Sequence, residues 1–147
     1  MSLTAKPGDL NRVKVLFVCS GNAHRSPLAE ALLRKLRPDL EVDSAGIRVA
    51  IPVSKEVRGY LVKENAEQYL KRVPESLDSK HLGEYDVIVV MEQRHKDAVL
   101  SRCPECASRI FVWNVPDPYF MSPNDATRIY ARIKKKVMEL AESGLLQ

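Results

Sequence analysis

Three cysteines in 147 residues leave no disulfide framework to hold the fold, and a chain of this length buries a core without one. The count is odd and no export signal accompanies it, which favours a reducing cytoplasm and thiols kept as thiols. At least one cysteine then needs an explanation of its own. Long apolar runs are also missing. The longest, Val15 to Cys19 and Val87 to Met91, fall far below the roughly 18–20 residues of a membrane span, so a transmembrane reading is excluded. Met1 to Asn11 lacks the apolar stretch of about 7–15 residues that a secretory signal carries. Its Met1-Ser2-Leu3 reads as an expression remnant, residues 1–11 are expected to be a disordered N-terminal segment, and one domain is expected over 12–147. Strong charge of one sign is absent as well: 23 Lys+Arg against 19 Asp+Glu leave +4. Its densest piece, Lys134-Lys135-Lys136, fits the solvated face of a helix, and neither nucleic acid nor membrane is expected as a partner.

What the chain does have is strands alternating with helices. Val13 to Val18 is a short β-branched, apolar run that passes at once into the turn cluster Ser20-Gly21-Asn22. Ser26 as N-cap and Pro27 at the first helical position then open a helix with Leu28, Ala31, Leu32 and Leu36 at helical spacing, ending before Pro38. A strand over Leu40 to Ser44 stops at Ala45-Gly46, and Val57, Tyr60, Leu61 and Glu64 mark an amphipathic helix within Ser54 to Asn65. Asp86 to Met91 has the pattern of a parallel strand buried on both faces. Helical pattern follows over Gln93 to Leu100, a fourth strand over Arg109 to Trp113, and a loop over Val115 to Phe120, where two prolines lack amide donors. Ser122-Pro123-Asn124-Asp125 caps the last helix, whose stripe Ile129, Ile133, Val137 and Leu140 runs up to Gly144. The expected class is α/β, a parallel sheet covered on both faces. In such sheets the loops leaving the carboxyl ends of the strands meet on one edge, which makes neighbours of Cys19 and Asp117.

Cys19-Ser20-Gly21-Asn22-Ala23-His24-Arg25-Ser26 carries the chemistry. Successive amides wrapping into a helix start form an anion nest, and the helix dipole places about half a positive charge there. Gly21 permits close backbone approach, Asn22 tolerates a left-handed conformation, and Arg25 holds two phosphate oxygens bidentately. The same field favours the thiolate form of Cys19, the nucleophile, and Ser26 donates a hydrogen bond to it.

Val18-Cys19-x-Gly21-Asn22-x-x-Arg25-Ser26-Pro27 near the N-terminus, Ser44-Ala45-Gly46 after the second strand and Asp117-Pro118-Tyr119 near the C-terminus together resemble the low-molecular-weight protein tyrosine phosphatase family. The resemblance implies a three-layer α/β/α fold of the phosphotyrosine phosphatase I-like type, with a four-stranded parallel sheet in the order 2-1-3-4. It implies hydrolysis of phosphotyrosine and aryl phosphate monoesters through a phosphocysteine intermediate, with no metal or organic cofactor. Cys19 is then the nucleophile, Arg25 the phosphate and transition-state clamp, and Asp117 the group that protonates the leaving oxygen and later activates water. Tyr119, Phe120 and Ile47 would line the pocket, while Ser44, with Asn22 and Ser26, would brace the loop. The implied partners are a tyrosine-phosphorylated protein or small aryl phosphate, with phosphate or other oxyanions in the loop, and the protein is expected as a monomer or weak homodimer.

The chain departs from the family pattern in three places. His24 stands where many relatives carry a second cysteine, so no disulfide beside the nucleophile protects it from overoxidation; the imidazole itself is expected to point outward. Ile47 to Val53 holds only aliphatic side chains of the apolar type where relatives often present an aromatic one. A histidine that some relatives use to brace the loop has no obvious counterpart among Leu70 to Pro74. Two rival readings share the loop. An arsenate reductase would pass oxidation on to Cys103 and Cys106, and a cysteine phosphocarrier would need neither Arg25 nor Asp117. Cys103 and Cys106 also read as half a zinc site, with only His81 or His95 to help, or as a plain loop-stabilising pair.

Overall fold

The computed structural model describes residues 12–147, so the expectation for residues 1–11 lies outside the described residues. β1 (Lys14–Cys19) is the centre of the architecture because both of its faces are apolar. Val15 and Phe17 enter a core beneath α1 (Arg25–Leu36), α2 (Lys55–Lys63) and α4 (Pro123–Ala141). Leu16 and Val18 enter a second core beneath α3 (Gln93–Arg102). A strand whose alternate side chains both find apolar cover lies inside a three-layer sandwich. β1 pairs in parallel with β2 (Glu41–Gly46) on one side and β3 (Val87–Val90) on the other, and β3 pairs with β4 (Ile110–Val112). The order β2-β1-β3-β4 is the one the resemblance implies. It reverses direction at β1, so the crevice typical of such sheets opens beyond the end of that strand, at Cys19.

Two helix boundaries differ from the sequence reading. α1 starts at Arg25 with His24 at the cap position and no side-chain cap, so Ser26 is not the N-cap and Pro27 sits in the third helical position. Pro27 is tolerated there because first-turn residues have no intrahelical use for an N–H, and the Ser26 hydroxyl is drawn into a buried network described below. The last turn of α1 carries Leu36 out past the core, leaving it 45% exposed rather than on the core stripe. α4 begins as expected, with Ser122 Oγ accepting from the Asp125 amide at 3.2 Å. It ends at Ala141, and Gly144 instead opens a short 3-10 turn that returns Leu146 to the core.

Cys103 and Cys106 are joined in a disulfide, which corrects the expectation that all thiols stay free. A 3-10 turn beginning at Pro104 folds the four-residue segment so that their Cα atoms lie 5.4 Å apart, within bonding reach. Bonded to each other, they offer no thiolate to zinc. Both are buried in the α3-side core, whereas Cys19 packs in the core on the opposite face of the sheet. Among the described residues no helix is long and apolar enough to cross a membrane.

Candidate active site

The chain leaves β1 at Cys19 and turns into α1 within five residues. Asn22 makes the turn in the left-handed region, at φ 54°, where asparagine is tolerated. Among the described residues, none of the backbone N–H groups of Ser20 through His24 donates to a protein acceptor, and α1 has no side-chain cap. Uncommitted donors at a helix start are the arrangement that suits an anion. Cys19 Sγ lies 2.9 Å from Ser26 Oγ, and it is the one free cysteine among the described residues.

Asn22 is fully buried and ties the loop in three directions. Its Nδ2 donates to Ser26 Oγ and to Ser44 Oγ, each at 2.8 Å, and its Oδ1 accepts from the Glu75 amide at 2.8 Å. Ser44 Oγ donates in turn to Glu30 Oε1 at 2.6 Å. Burial pushes the Glu30 carboxyl up from its ordinary value, against the hydrogen bond from Ser44 and the charge of Lys71. Leu70 to Pro74, which lacks a bracing histidine, contributes Lys71 to this network. Lys71 Nζ donates to Ser44 O at 2.8 Å and pairs with Glu75 at 2.7 Å. The steric requirement for glycine falls on Gly46 rather than Gly21. A Cβ at Gly21 would meet only Arg48 O, at 3.7 Å, whereas one at Gly46 would sit 2.6 to 2.9 Å from backbone atoms of Asn22, Gly21 and Ser20.

Arg25 is 1% exposed, and its guanidinium is held by residues from two other loops. Nη1 donates to Glu92 and to Val115 O, the latter at 2.8 Å, while Nη2 donates to Ser20 Oγ at 3.3 Å and lies 3.6 Å from Asp117 Oδ2. Burial pushes the Glu92 carboxyl up, but hydrogen bonds from Arg94 and Arg25 outweigh it and hold the group at about 2. Glu92 is therefore a fixed negative charge that orients the Arg25 guanidinium. His95, three residues on, accepts from the Glu92 amide through Nδ1 at 3.0 Å and reaches Ser20 Oγ through Nε2 at 2.9 Å.

Cys19, Ser20, Gly21, Ala23, His24, Arg25, Ile47, Asp117 and Tyr119 line one cleft of about 600 Å³, together with Arg48, Ala50, Ile51 and Arg94. The four loops thus converge as the sheet topology requires. His24 faces this cleft instead of pointing outward. Its ring stands edge-on to Tyr119 at 5.8 Å, and burial lowers its pKa against the pull of Asp117 and Glu56. Phe120 lies outside the lining: it is 94% exposed and packs edge-on against Tyr119 at 4.7 Å, because the chain turns away after Tyr119 towards α4. The side-chain roles of Glu92, His95 and Lys71 escaped the sequence reading. Glu92 carries a usable signal, since it follows β3 almost at once and so belongs to one of the loops that must meet at the site.

The low molecular weight phosphotyrosine protein phosphatase family model matches residues 14–145. The chain is 30% identical to the low molecular weight protein-tyrosine-phosphatase Wzb of Salmonella typhi over 138 residues, covering 88% of this chain and 93% of the relative. A protein-arginine-phosphatase of Geobacillus stearothermophilus is 36% identical over 100 residues, 67% of each protein. The structure of Vibrio vulnificus Wzb in complex with benzylphosphonate resembles this one with a TM-score of 0.77 at 30% identity, over 88% of this chain and 97% of that one. With the loop, the sheet order and the cleft residues in agreement, the chain belongs to the low molecular weight phosphotyrosine protein phosphatase family.

Proposed function

We propose that the protein hydrolyses phosphotyrosine in proteins, and small aryl phosphates, through a phosphocysteine formed on Cys19. The observation that carries this reading is the convergence of Cys19, Arg25 and Asp117 on one cleft above a loop of uncommitted amides. Cys19 Sγ attacks phosphorus as the aryl C–O–P bridge opens at the P–O bond, and Asp117 gives its proton to the leaving phenolic oxygen. Asp117, now a carboxylate, takes a proton from water as the water oxygen attacks phosphorus. The S–P bond breaks, phosphate leaves, and the Ser26 hydroxyl donates to the regenerated thiolate across the 2.9 Å contact. Arg25 and the loop amides hold the equatorial oxygens throughout, and the Glu92 carboxylate keeps the clamp aimed. The steps call on no metal or organic cofactor. A thiol that must remain reduced suits the cytoplasm, and a monomer or weak homodimer is sufficient because every residue named comes from one chain.

The rival that relays oxidation through two cysteines is disfavoured because Cys103 and Cys106 are bonded to each other on the opposite side of the sheet from Cys19. The arginine-phosphatase relative raises a second substrate, whose leaving guanidinium is cationic. Arg48 and Arg94 on the cleft wall oppose such a group, while Ile47, Ile51 and Tyr119 suit a phenyl ring. The test is steady-state turnover of p-nitrophenyl phosphate, a phosphotyrosine peptide and phosphoarginine by wild type, Cys19→Ser and Asp117→Asn. The aryl substrates should turn over faster than phosphoarginine. Cys19→Ser should abolish turnover, and Asp117→Asn should reduce it on the order of 10²-fold. Absence of wild-type turnover under reducing conditions would refute the reading.

A further inference from the structure

The side chain of Ser20, the first residue after the nucleophile, is held by hydrogen bonds that the reaction described above does not use. A serine hydroxyl has one hydrogen to donate and two lone pairs to accept with. Both acceptor positions are occupied. His95 Nδ1 accepts the Glu92 amide hydrogen at 3.0 Å, so the ring's hydrogen must sit on Nε2, which therefore donates to Ser20 Oγ at 2.9 Å. Arg25 Nη2 donates to the same oxygen at 3.3 Å. His95 is fully buried, and burial together with the Arg25 charge lowers its pKa to about 4, which keeps the ring neutral and this tautomer in place at neutral pH. The titratable groups around the ring, Glu92 and Arg94 at the start of α3, Arg25 on α1 and Asp117 on the loop after β4, make no hydrogen bond to Nε2, whose partner among the described residues is Ser20 Oγ. Among the described residues Ser20 Oγ has no acceptor for its own hydrogen, and the residue lines the cleft beside Cys19, Arg25 and Asp117.

We propose that Ser20 is a catalytic residue whose hydroxyl donates to a phosphoryl oxygen in the loop, and that His95 is the positioning residue that forces it to act as a donor. This rests on the phosphomonoesterase reading for its substrate and on the hydrogen-bond polarity alone for its direction. A hydroxyl whose lone pairs are filled repels a further donor and attracts an anion, so it discriminates in favour of the charge that builds on the phosphoryl oxygens during transfer. Glu92 then serves the site twice, orienting Arg25 with its carboxylate and fixing the His95 tautomer with its amide.

The test compares Ser20→Ala, His95→Asn, His95→Gln and the double variant Ser20→Ala/His95→Asn, measuring p-nitrophenyl phosphate kinetics and the affinity for inorganic vanadate. Asparagine at 95 retains an acceptor for the Glu92 amide but falls short of Ser20, whereas glutamine reaches it. Ser20→Ala should lower kcat roughly 10- to 100-fold with little change in KM, the scale of one hydrogen bond to a charged group, and weaken vanadate by a similar factor. His95→Asn should move in the same direction, the double variant should be no worse than Ser20→Ala, and His95→Gln should recover most of the loss. Wild-type kcat in Ser20→Ala, or losses that multiply in the double variant, would overturn the proposal. If the wild type turns over no ester, the phosphomonoesterase reading falls, and vanadate affinity still decides: weakened binding in Ser20→Ala sustains the donor, and unchanged binding overturns it.

Discussion

Gly46→Ala adds one methyl group at the end of β2 and should disable a loop that belongs to another strand. The added Cβ would stand 2.6 Å from Asn22 N, 2.7 Å from Gly21 C and 2.9 Å from Ser20 O. Carbon contacts are comfortable at about 3.5–4.0 Å, so one side must retreat by roughly 0.5–1 Å. β2 has little freedom to move. Gly46 is in register with Cys19, its N–H donates to Glu75 O at 2.9 Å, and the next two amides donate to Cys19 O and Ser20 O at 3.2 and 2.8 Å. The displacement therefore falls on residues 20–22, between Cys19 and Arg25. Overpacking of this kind costs about 1–3 kcal/mol. A shift approaching 1 Å in residues that position reacting groups lowers turnover on the order of 10²-fold. The assay is a pair of measurements on one preparation, kcat with p-nitrophenyl phosphate and the urea unfolding midpoint. Gly21→Ala is the control for stability, because its Cβ meets a single atom at 3.7 Å and should leave the midpoint nearly in place. If Gly46→Ala matches wild type in both measurements, the loop is not held against β2 as described.

Glu92→Gln removes the fixed charge opposite Arg25. Because the carboxyl is held at about 2 in the folded protein against an ordinary 4.5, its contribution is present above about pH 4.5 and is lost as pH falls towards 2. Urea midpoints should therefore separate wild type from the variant at neutral pH and converge on acidification, while a gap independent of pH would contradict the assignment. Asn22→Ala leaves the Glu75 amide without its acceptor and forces alanine to φ 54°, so unfolding titrations should show a loss of about 2–4 kcal/mol, and a loss below about 1 kcal/mol would deny the network that role. Oxidation supplies a further check. Cys19 is the one free thiol among the described residues and the other two cysteines are bonded, so no neighbouring thiol traps its sulfenic acid. Sustained peroxide treatment should cause loss of activity that thiol reductant does not restore, and full recovery would contradict this.

Features encoded by consecutive residues were legible in the sequence. β1, its loop and the start of α1 form one continuous segment whose apolar run, turn residues and arginine all point to the same geometry, and Asp117 stands in a loop marked by two prolines. The order of the strands came from family resemblance, since alternation of elements fixes a parallel sheet but not which strand lies beside which. Features that depend on contacts across the sheet edge stayed hidden. Glu92 and His95 form a local pair on α3, yet their meaning arises only when Arg25 and Ser20 arrive from β1. Lys71 has no motif to mark it, because its contact with Ser44 arises only when the segment after α2 folds back beside β2. Ser26 illustrates competition between local and tertiary signals. Its sequence setting is that of an N-cap, but the hydroxyl is taken by Cys19 and Asn22, and the helix starts two residues earlier, at Arg25 instead of Pro27. Phe120 failed as a pocket residue for the opposite reason, since adjacency to Tyr119 in sequence says nothing about the turn of the chain between them.

Covalent catalysis by Cys19 is tested by quenching the Asp117→Asn enzyme during turnover of a radiolabelled aryl phosphate and mapping the label. Slow hydrolysis without the carboxylate base should let the intermediate accumulate. One phosphoryl group is expected on the peptide containing Cys19, absent in the Cys19→Ser/Asp117→Asn double variant. Label on another residue of the loop, or product release with no labelled protein in any variant, would contradict it.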